Sequence, residues 1–119
     1  MQPFSGVKVL DLTHVLAGPF CTYQLSVMGA DVIKIEPPTE PDMVRPAGGV
    51  EAYNKAGLGV MYMTQNANKR AITLDIKTAK GQAILKRLAA TADVLVENYR
   101  AGALPKLGLG YEDMAKINP

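Results

Sequence analysis

The 119-residue chain contains no tryptophan, one histidine and one cysteine, and aromatic residues make up only 6% of it. The lone cysteine, Cys21, cannot form a disulfide within the chain. One cysteine and one histidine also fall short of the paired ligands that a zinc site needs. We therefore expect no disulfide, no metal site and a reducing, cytoplasmic setting.

Strong charge of one sign is also missing, with a formal net charge of +2 and a pI of about 8.7. The lysines and arginines are scattered and form no basic stripe, which argues against nucleic acid as a partner. No apolar run is long enough to cross a bilayer, and the N-terminus MQPFSGVKV lacks the pattern of a signal peptide. The sequence therefore predicts no membrane partner either.

Hydrophobic residues nevertheless make up 48% of the chain, enough for one modest core and one domain over residues 1–119. Apolar runs rich in β-branched residues at 7–12 and 30–35 predict two strands. The segment between them has the length of a helix, with Pro19 predicted at its first position and Gly29 as the left-handed residue that ends it. This pattern predicts a βαβ crossover between parallel strands.

The first helix is predicted to cover the sheet with one face. The residues of that face lie at spacings of three and four: Phe20, Gln24, Val27 and Met28, with Leu25 beside them.

The rest of the chain continues the α/β alternation. Proline and glycine in residues 37–59 predict a long irregular loop, and residues 71–76 predict a third strand with one face less deeply buried. Thr78 is predicted to cap a second helix that reaches about Ala92, and residues 93–97 predict a central fourth strand. GYEDMAKINP predicts a short helix that runs into a turn. The stripe expected on the second helix is Gly81, Ile84, Leu85, Leu88 and Ala92.

These elements predict a doubly wound, mostly parallel, Rossmann-like sheet with helices on both faces. Ligands bind such sheets beyond the carboxyl ends of the strands, which points to residues 13–19, 36–45 and 98–106. The first of these turns, THVLAGP, has one glycine where the dinucleotide fingerprint has three. NAD and FAD are therefore disfavoured as ligands.

Several side chains near these turns have two interpretations each. His14 suits acid/base chemistry or a structural hydrogen bond, and Glu36 suits a ribose contact or a solvent-facing strand end. Cys21, near a helix N-terminus, is either a nucleophile or a packed, inert thiol.

Two further groups suit phosphate binding. Lys69, Arg70 and Lys77 flank the third strand, where they either meet phosphates or form a solvated basic edge. Asn98, Tyr99 and Arg100 follow the fourth strand and combine an amide, an aromatic ring and a cation. They either stack on a base and bind phosphate, or form a loop that caps the next helix.

Taken together, the segments resemble the N-terminal part of the family III CoA-transferases, which include formyl-CoA transferase, carnitine-CoA transferase and α-methylacyl-CoA racemase. The resemblance covers nearly the whole chain. The segments that carry it are GVKVLDLTHVLAGPFCT, GADVIKIEPP, PDMVR, NKRAITLDIK and ADVLVENYRAGALPKLGLGYEDMAKINP.

The resemblance implies that these residues are part of a larger Rossmann-like domain, that two chains form an interlocked homodimer, and that CoA lies over the first and fourth strands. CoA or acyl-CoA would be a substrate, with no tightly bound cofactor. The positions that match the family's CoA contacts are Val15, Leu16, Ala17, the segment from Leu74 to Lys77, Asn98, Tyr99, Arg100, Ala103, Lys106 and Leu107.

The chain departs from formyl-CoA transferase at two positions. Pro37 replaces an arginine, so Arg45 or Lys69 would have to compensate, and Leu16 replaces a glutamine of the first turn. Both changes disfavour a formyl/oxalyl pair of substrates. Tyr62 lies near the region whose aromatics line the family's active site, but its register differs and no role is assigned to it.

The reaction implied is the transfer of CoA from an acyl-CoA to a carboxylic acid through an aspartyl-CoA thioester. No aspartate of this chain matches the family's nucleophile, which is expected beyond Pro119. We therefore expect residues 1–119 to be inactive alone. The alternatives are a 2-methylacyl-CoA racemase of the same family and a non-catalytic CoA-binding or assembly module.

Overall fold

The computed structural model describes residues 1–119 as a four-stranded parallel sheet flanked by helices, in the order β3-β2-β1-β4. This confirms the predicted α/β class. The strands are β1 (Lys8–Asp11), β2 (Asp31–Glu36), β3 (Arg70–Thr73) and β4 (Val94–Val96). The helices are α1 (Ala17–Val27), α2 (Glu51–Lys55), α3 (Val60–Asn66), α4 (Ala79–Ala89), α5 (Ala103–Lys106) and α6 (Tyr111–Ala115).

Alternate side chains of the central strands enter two separate cores, as the pleat of a strand requires. Leu10 of β1 belongs to the larger core, which also contains Leu85 of α4. Its neighbour Val9 belongs to a smaller core, against which Leu25 of α1 packs. The sheet is thus covered on both faces, and its loops are left to form the carboxyl edge.

The prediction for the buried face of α1 was wrong. Phe20 and Val27 are about half exposed, whereas Pro19, Thr22 and Ser26 are buried. The face is polar because the Thr22 hydroxyl donates to the buried carboxylate of Asp11 at 2.6 Å. Apolar spacing therefore selects a side that is mostly exposed: of the predicted residues only Gln24 and Leu25 are half-buried, and Leu25 packs against the smaller core.

The ends of α1 are partly as predicted. The helix begins at Ala17, so Pro19 is its third residue and not its first. The proline is still tolerated because N–H groups of the first turn have no partner within the helix. Gly29 has φ +105°, which confirms the left-handed residue after the helix.

The third and fourth strands also differ from expectation. All four residues of β3 are exposed, and β4 lies at an edge of this sheet and not at its centre. The loop over residues 37–59 contains α2, and α3 follows it where no helix was predicted.

Helix α4 is capped as expected, because the Thr78 hydroxyl accepts from the N–H of Gly81 at 3.1 Å. It ends at Ala89, three residues before the predicted end near Ala92. Ile84 of the predicted stripe is 42% exposed, while Gly81, Leu85 and Ala92 are buried. None of the helices is long and apolar enough to span a membrane.

Gly81 permits the close approach between α4 and the chain before it. A Cβ atom at this position would lie 1.8 Å from the carbonyl oxygen of Asp75. We expect Gly81→Ala to lower the free energy of unfolding by about 2 kcal/mol, because backbone has to move to admit the methyl group. Urea unfolding measures the change.

The matched control is Gly49→Ala, because a Cβ atom there would meet nothing within 4 Å and the backbone needs no positive φ. Its effect should be within about 0.5 kcal/mol of wild type. Equal effects of the two substitutions would contradict the steric explanation.

Candidate functional site

The turn after β1 faces the carboxyl edge and is held by side chains from three other parts of the chain. Val15 has φ +75°, a left-handed conformation that is unusual for a β-branched residue. Its N–H donates to both carboxylate oxygens of Asp42, at 3.1 and 3.2 Å. The Gln65 amide, with its nitrogen toward the turn, donates to the carbonyls of Val15 and Leu16 at 2.9 and 3.1 Å.

Asn98 joins this turn to the loop after β4. Its side-chain oxygen accepts from the His14 N–H at 2.9 Å, and its nitrogen donates to the His14 carbonyl at 2.8 Å. The rings of His14 and Tyr99 meet edge to face, with centroids 5.8 Å apart. The two predicted walls of the CoA site are therefore in direct contact.

A buried ion pair lies beneath the turn. The Lys69 ammonium, whose side chain is 1% exposed, donates to Asp11 Oδ2 at 2.8 Å, to the Pro19 carbonyl at 2.9 Å and to Asn66 Oδ1 at 2.8 Å. Burial would raise the pKa of Asp11, but hydrogen bonds from Lys69, Thr13 and Thr22 outweigh burial, and its pKa is lowered.

A second buried cation comes from the middle of β2. Lys34 Nζ donates to the Thr13 carbonyl at 2.6 Å and lies 3.3 Å from Asp42 Oδ2, and both side chains are fully buried. Because a buried ammonium needs a nearby anion, Lys34 holds Asp42 inside the protein. Asp42 in turn holds Val15.

The third element is a bidentate pair between Glu36 and Arg45. Arg45 Nε lies 2.9 Å from Glu36 Oε2, and one terminal nitrogen lies 2.6 Å from Oε1. The guanidinium also covers the Tyr62 ring, 3.9 Å from its centroid, and donates to the Tyr62 hydroxyl at 2.7 Å. This pair fastens the long loop to the end of β2.

Burial alone would raise the pKa of Glu36, but the hydrogen bonds from Arg45 and the Asp42 N–H lower it to about 2. Burial and the adjacent carboxylate of Glu36 raise the pKa of Tyr62. Both groups therefore have fixed protonation states near neutral pH: Glu36 is ionised and Tyr62 is neutral.

Because these side chains are occupied by partners within the chain, several of the predicted contacts with a ligand are ruled out. Glu36 neither faces solvent nor has room for a ribose, since its oxygens accept from Arg45, Tyr62 and the Asp42 N–H. Lys69 and Arg45 cannot compensate for the cation lost at Pro37, because each is committed to a carboxylate.

Arg70 lies away from the site. It pairs with Asp31, the first residue of β2, at the amino end of the sheet. It therefore cannot share a phosphate with residues of the carboxyl edge.

Two other interpretations also change. The thiol of Cys21 is exposed, so it is not packed, and no basic side chain pairs with it. The His14 ring makes no hydrogen bond and is positioned through its backbone and its contact with Tyr99. Neither residue has the partner that a nucleophile or a general base needs.

The predicted CoA-contact residues differ in how accessible their side chains are. Val15, Leu16, Ala17, Lys77, Arg100 and Lys106 are exposed. Leu74 is buried, so it can reach a ligand only through its backbone, whereas Leu107 is partly buried against the larger core. Lys77 pairs with Glu40 at 2.9 Å on the surface.

A cavity of about 590 Å³ lies beside β4, with Tyr99 and Arg100 among its lining residues. Its volume is in the range of small-molecule sites. Val15, Leu16 and Ala17 do not line it. The two predicted walls thus share an edge of the sheet without enclosing one pocket.

Sequence reasoning missed Lys34, Asp42 and Gln65 as residues that shape the site. The sequence carries one signal for Lys34, a charged residue that stands between the apolar Ile33 and Ile35 of β2. No local pattern marks Asp42 or Gln65, because their partners lie 27 and 50 positions earlier in the sequence at Val15.

The model of CoA-transferase family III matches residues 4–119 of this sequence. The chain belongs to CoA-transferase family III. One curated relative is succinyl-CoA:glutarate CoA-transferase from Homo sapiens. It is 47% identical over 119 residues, which are 100% of this chain and 26% of the relative. Formyl-CoA:oxalate CoA-transferase from Escherichia coli O6:H1 is 42% identical over 118 residues, covering 98% of this chain and 27% of the relative.

Solved structures agree with this family assignment. A CAIB/BAIF family protein from Brucella suis has a TM-score of 0.88 and 40% identity, over 99% of this chain and 31% of that one. Rv3272 from Mycobacterium tuberculosis, as its D175A mutant, has a TM-score of 0.88 and 36% identity, over 99% and 31% of the two chains. The chain therefore spans between a quarter and a third of the length of the proteins that it matches here.

The lowered pKa of Glu36 predicts how stability depends on pH. Because its pKa is about 2 here and 4.5 ordinarily, the pair with Arg45 stabilises the fold fully above pH 4.5 and loses this contribution as pH falls toward 2. We expect Glu36→Gln to lower the free energy of unfolding, measured with urea, by about 1–3 kcal/mol at neutral pH. Between pH 4.5 and 2 the free energy of unfolding of this variant should fall less steeply than that of wild type.

Glu51→Gln is the control, because Glu51 forms an exposed pair with Lys55. This substitution should change the free energy of unfolding by less than about 0.5 kcal/mol at any pH. If the stability of Glu36→Gln fell as steeply at acid pH as that of wild type, the lowered pKa of Glu36 would not be the cause of the pH dependence.

Proposed function

We propose that residues 1–119 form the CoA-binding N-terminal portion of a CoA-transferase that moves CoA from an acyl-CoA to a carboxylic acid. Membership of the family supports the reaction class. The observation that carries the binding role is the Asn98 bridge, which joins the turn after β1 to the loop after β4. Ligands of parallel sheets bind at this edge.

The turn after β1 offers backbone donors to the ligand. No side chain caps α1 at Leu16, so the first N–H groups of this helix are available. Helix N-termini bind anions and carbonyl oxygens well because the helix dipole adds to their hydrogen bonds. In this proposal the exposed segment Val15, Leu16 and Ala17 lies against the thioester end of CoA.

The loop after β4 offers groups suited to the nucleotide end. Tyr99 is half-buried, and burial raises the pKa of its phenol, so the ring is neutral. Arg100 and Lys106 are exposed and form no salt bridge within the chain. Both are able to pair with the phosphates of CoA, and Lys77 joins them if it exchanges Glu40 for phosphate.

The proposed reaction is covalent. An aspartate attacks the acyl-CoA thioester to give a mixed anhydride and CoA thiolate; the thiolate then attacks the aspartyl carbonyl and releases the first carboxylate. The acceptor carboxylate attacks the resulting aspartyl-CoA thioester, which gives a second mixed anhydride and CoA thiolate. The thiolate then attacks the acceptor's carbonyl, forms the new acyl-CoA and releases the aspartate carboxylate. Backbone donors would stabilise each oxyanion.

We place the nucleophilic aspartate outside residues 1–119. Every aspartate in this chain already accepts a hydrogen bond within it: Asp11, Asp31, Asp42, Asp75, Asp93 and Asp113. Asp11 and Asp42 are buried, and Asp31 and Asp93 lie at the amino end of the sheet. We therefore expect no CoA transfer by these residues alone.

The names of the two curated relatives favour transfer over racemisation, because each describes a CoA-transferase that acts with a dicarboxylic acid. A non-catalytic CoA-binding module would share the binding edge described above. Transfer assays of a chain that includes the missing aspartate separate this module from the transferase.

The assembly that we propose is a homodimer of the complete protein in a cytoplasmic setting. The exposed edge of β3 and the exposed apolar side of α1 are surfaces that a second chain could cover. Light scattering of the complete protein tests this assembly.

Binding of CoA to the chain tests the proposal directly. We expect calorimetry to show saturable binding, and Arg100→Met to weaken it about 5- to 10-fold because one charge-assisted phosphate contact is lost. Raising the salt concentration should weaken binding to wild type more than to the variant.

Arg87→Met on α4 is the matched control, because Arg87 is exposed and lies outside the predicted site. Its affinity for CoA should equal that of wild type. Equal losses in both variants would contradict the role of Arg100, and a folded chain without CoA binding would contradict the proposal as a whole.

A further inference from the structure

Val15 adopts a conformation that its own side chain disfavours. In a β-branched residue, φ +75° brings the side chain close to the backbone and costs about 1–3 kcal/mol. The residue is 39% exposed, so packing of its side chain does not impose this conformation. The constraint must come from the backbone contacts of the turn.

Asp42 provides the contact to the N–H of this residue. Its carboxylate is fully buried and accepts the Val15 N–H on both oxygens. Three further contacts fix Asp42. Lys34 Nζ lies 3.3 Å from Asp42 Oδ2, the Asp42 N–H donates to Glu36 Oε2 at 2.8 Å, and the Val44 N–H donates to Asp42 Oδ1 at 3.3 Å. The acceptor is therefore in place before any ligand arrives.

Asn98 and Gln65 hold other backbone groups of the turn. Asn98 holds the N–H and carbonyl of His14, and Gln65 holds the carbonyls of Val15 and Leu16. Asp42 alone accepts the N–H of the left-handed residue. The peptide that joins His14 to Val15 is thus held at both ends: Asp42 accepts its N–H, and Asn98 donates to its carbonyl.

We propose that Asp42 is a positioning residue for CoA: it holds Val15 in the left-handed conformation and so directs the uncapped first turn of α1 toward the ligand. The inference rests on the proposed function for the identity of the ligand. The hydrogen bond itself, and its effect on Val15, stand independently of CoA.

The test separates the hydrogen bond from the buried charge. Replacing Asp42 alone would strand the Lys34 ammonium, so each variant also carries Lys34→Met, which removes that charge. Lys34→Met/Asp42→Asn keeps a side-chain oxygen that accepts from Val15. Lys34→Met/Asp42→Leu has a similar volume and no acceptor, and Lys34→Met/Asp42→Ala replaces it if the leucine variant does not unfold cooperatively.

Calorimetry with CoA should show the leucine variant binding at least about tenfold more weakly than the asparagine variant, the fold-change of one hydrogen bond. Adding Val15→Gly to the leucine variant should recover at least about threefold, because glycine adopts positive φ without strain. A purely structural effect of Asp42 would not respond to this glycine.

Amide hydrogen exchange of residue 15 is the second readout and needs no ligand. The Val15 N–H should exchange at least about tenfold faster in the leucine variant than in the asparagine variant. Equal exchange, equal CoA affinities of the two folded variants, or no recovery with glycine would each overturn the proposal. If wild type binds no CoA while exchange differs as expected, the proposed function is wrong, but Asp42 still fixes the conformation of Val15.

Discussion

The carboxyl edge depends on two ammonium groups that are buried without access to solvent. Lys34 and Lys69 enter the space beneath the turn after β1, where each meets a buried carboxylate and at least one backbone carbonyl. Water cannot solvate these charges, so every partner has to be in place when the chain folds. The network therefore specifies one arrangement of the turn, the long loop and α3, although its net contribution to stability is modest.

This requirement explains what sequence patterns could and could not predict. The βαβ crossover, the cap at Thr78 and the left-handed Gly29 follow from local rules, and the structure has all three. The buried face of α1 does not, because it contains Thr22, which donates to the buried carboxylate of Asp11, and Ser26, which donates to the Tyr23 carbonyl. Apolar periodicity measures only one of the ways in which a helix can cover a sheet.

The candidate site shows the same division. The strand ends that carry the loops were predictable from topology, and the Asn98 bridge brings two of them into contact. The roles of the charged residues were not predictable, because an isolated Lys69 or Glu36 looks the same in sequence whether it binds a phosphate or a buried partner. The distinction depends on contacts that span up to 58 positions of the chain.

The pair of Glu36 and Arg45 divides the long loop into two parts with different freedom to change. The two residues are nine positions apart and joined by a bidentate contact, with Asp42 fixed between them. An insertion between them would break several contacts at once, whereas residues 49–56 are mostly exposed and make few contacts with the rest of the chain. Natural variation in the length of this loop should therefore concentrate after Arg45, where the protein can acquire new sequence without disturbing the edge that holds the turn.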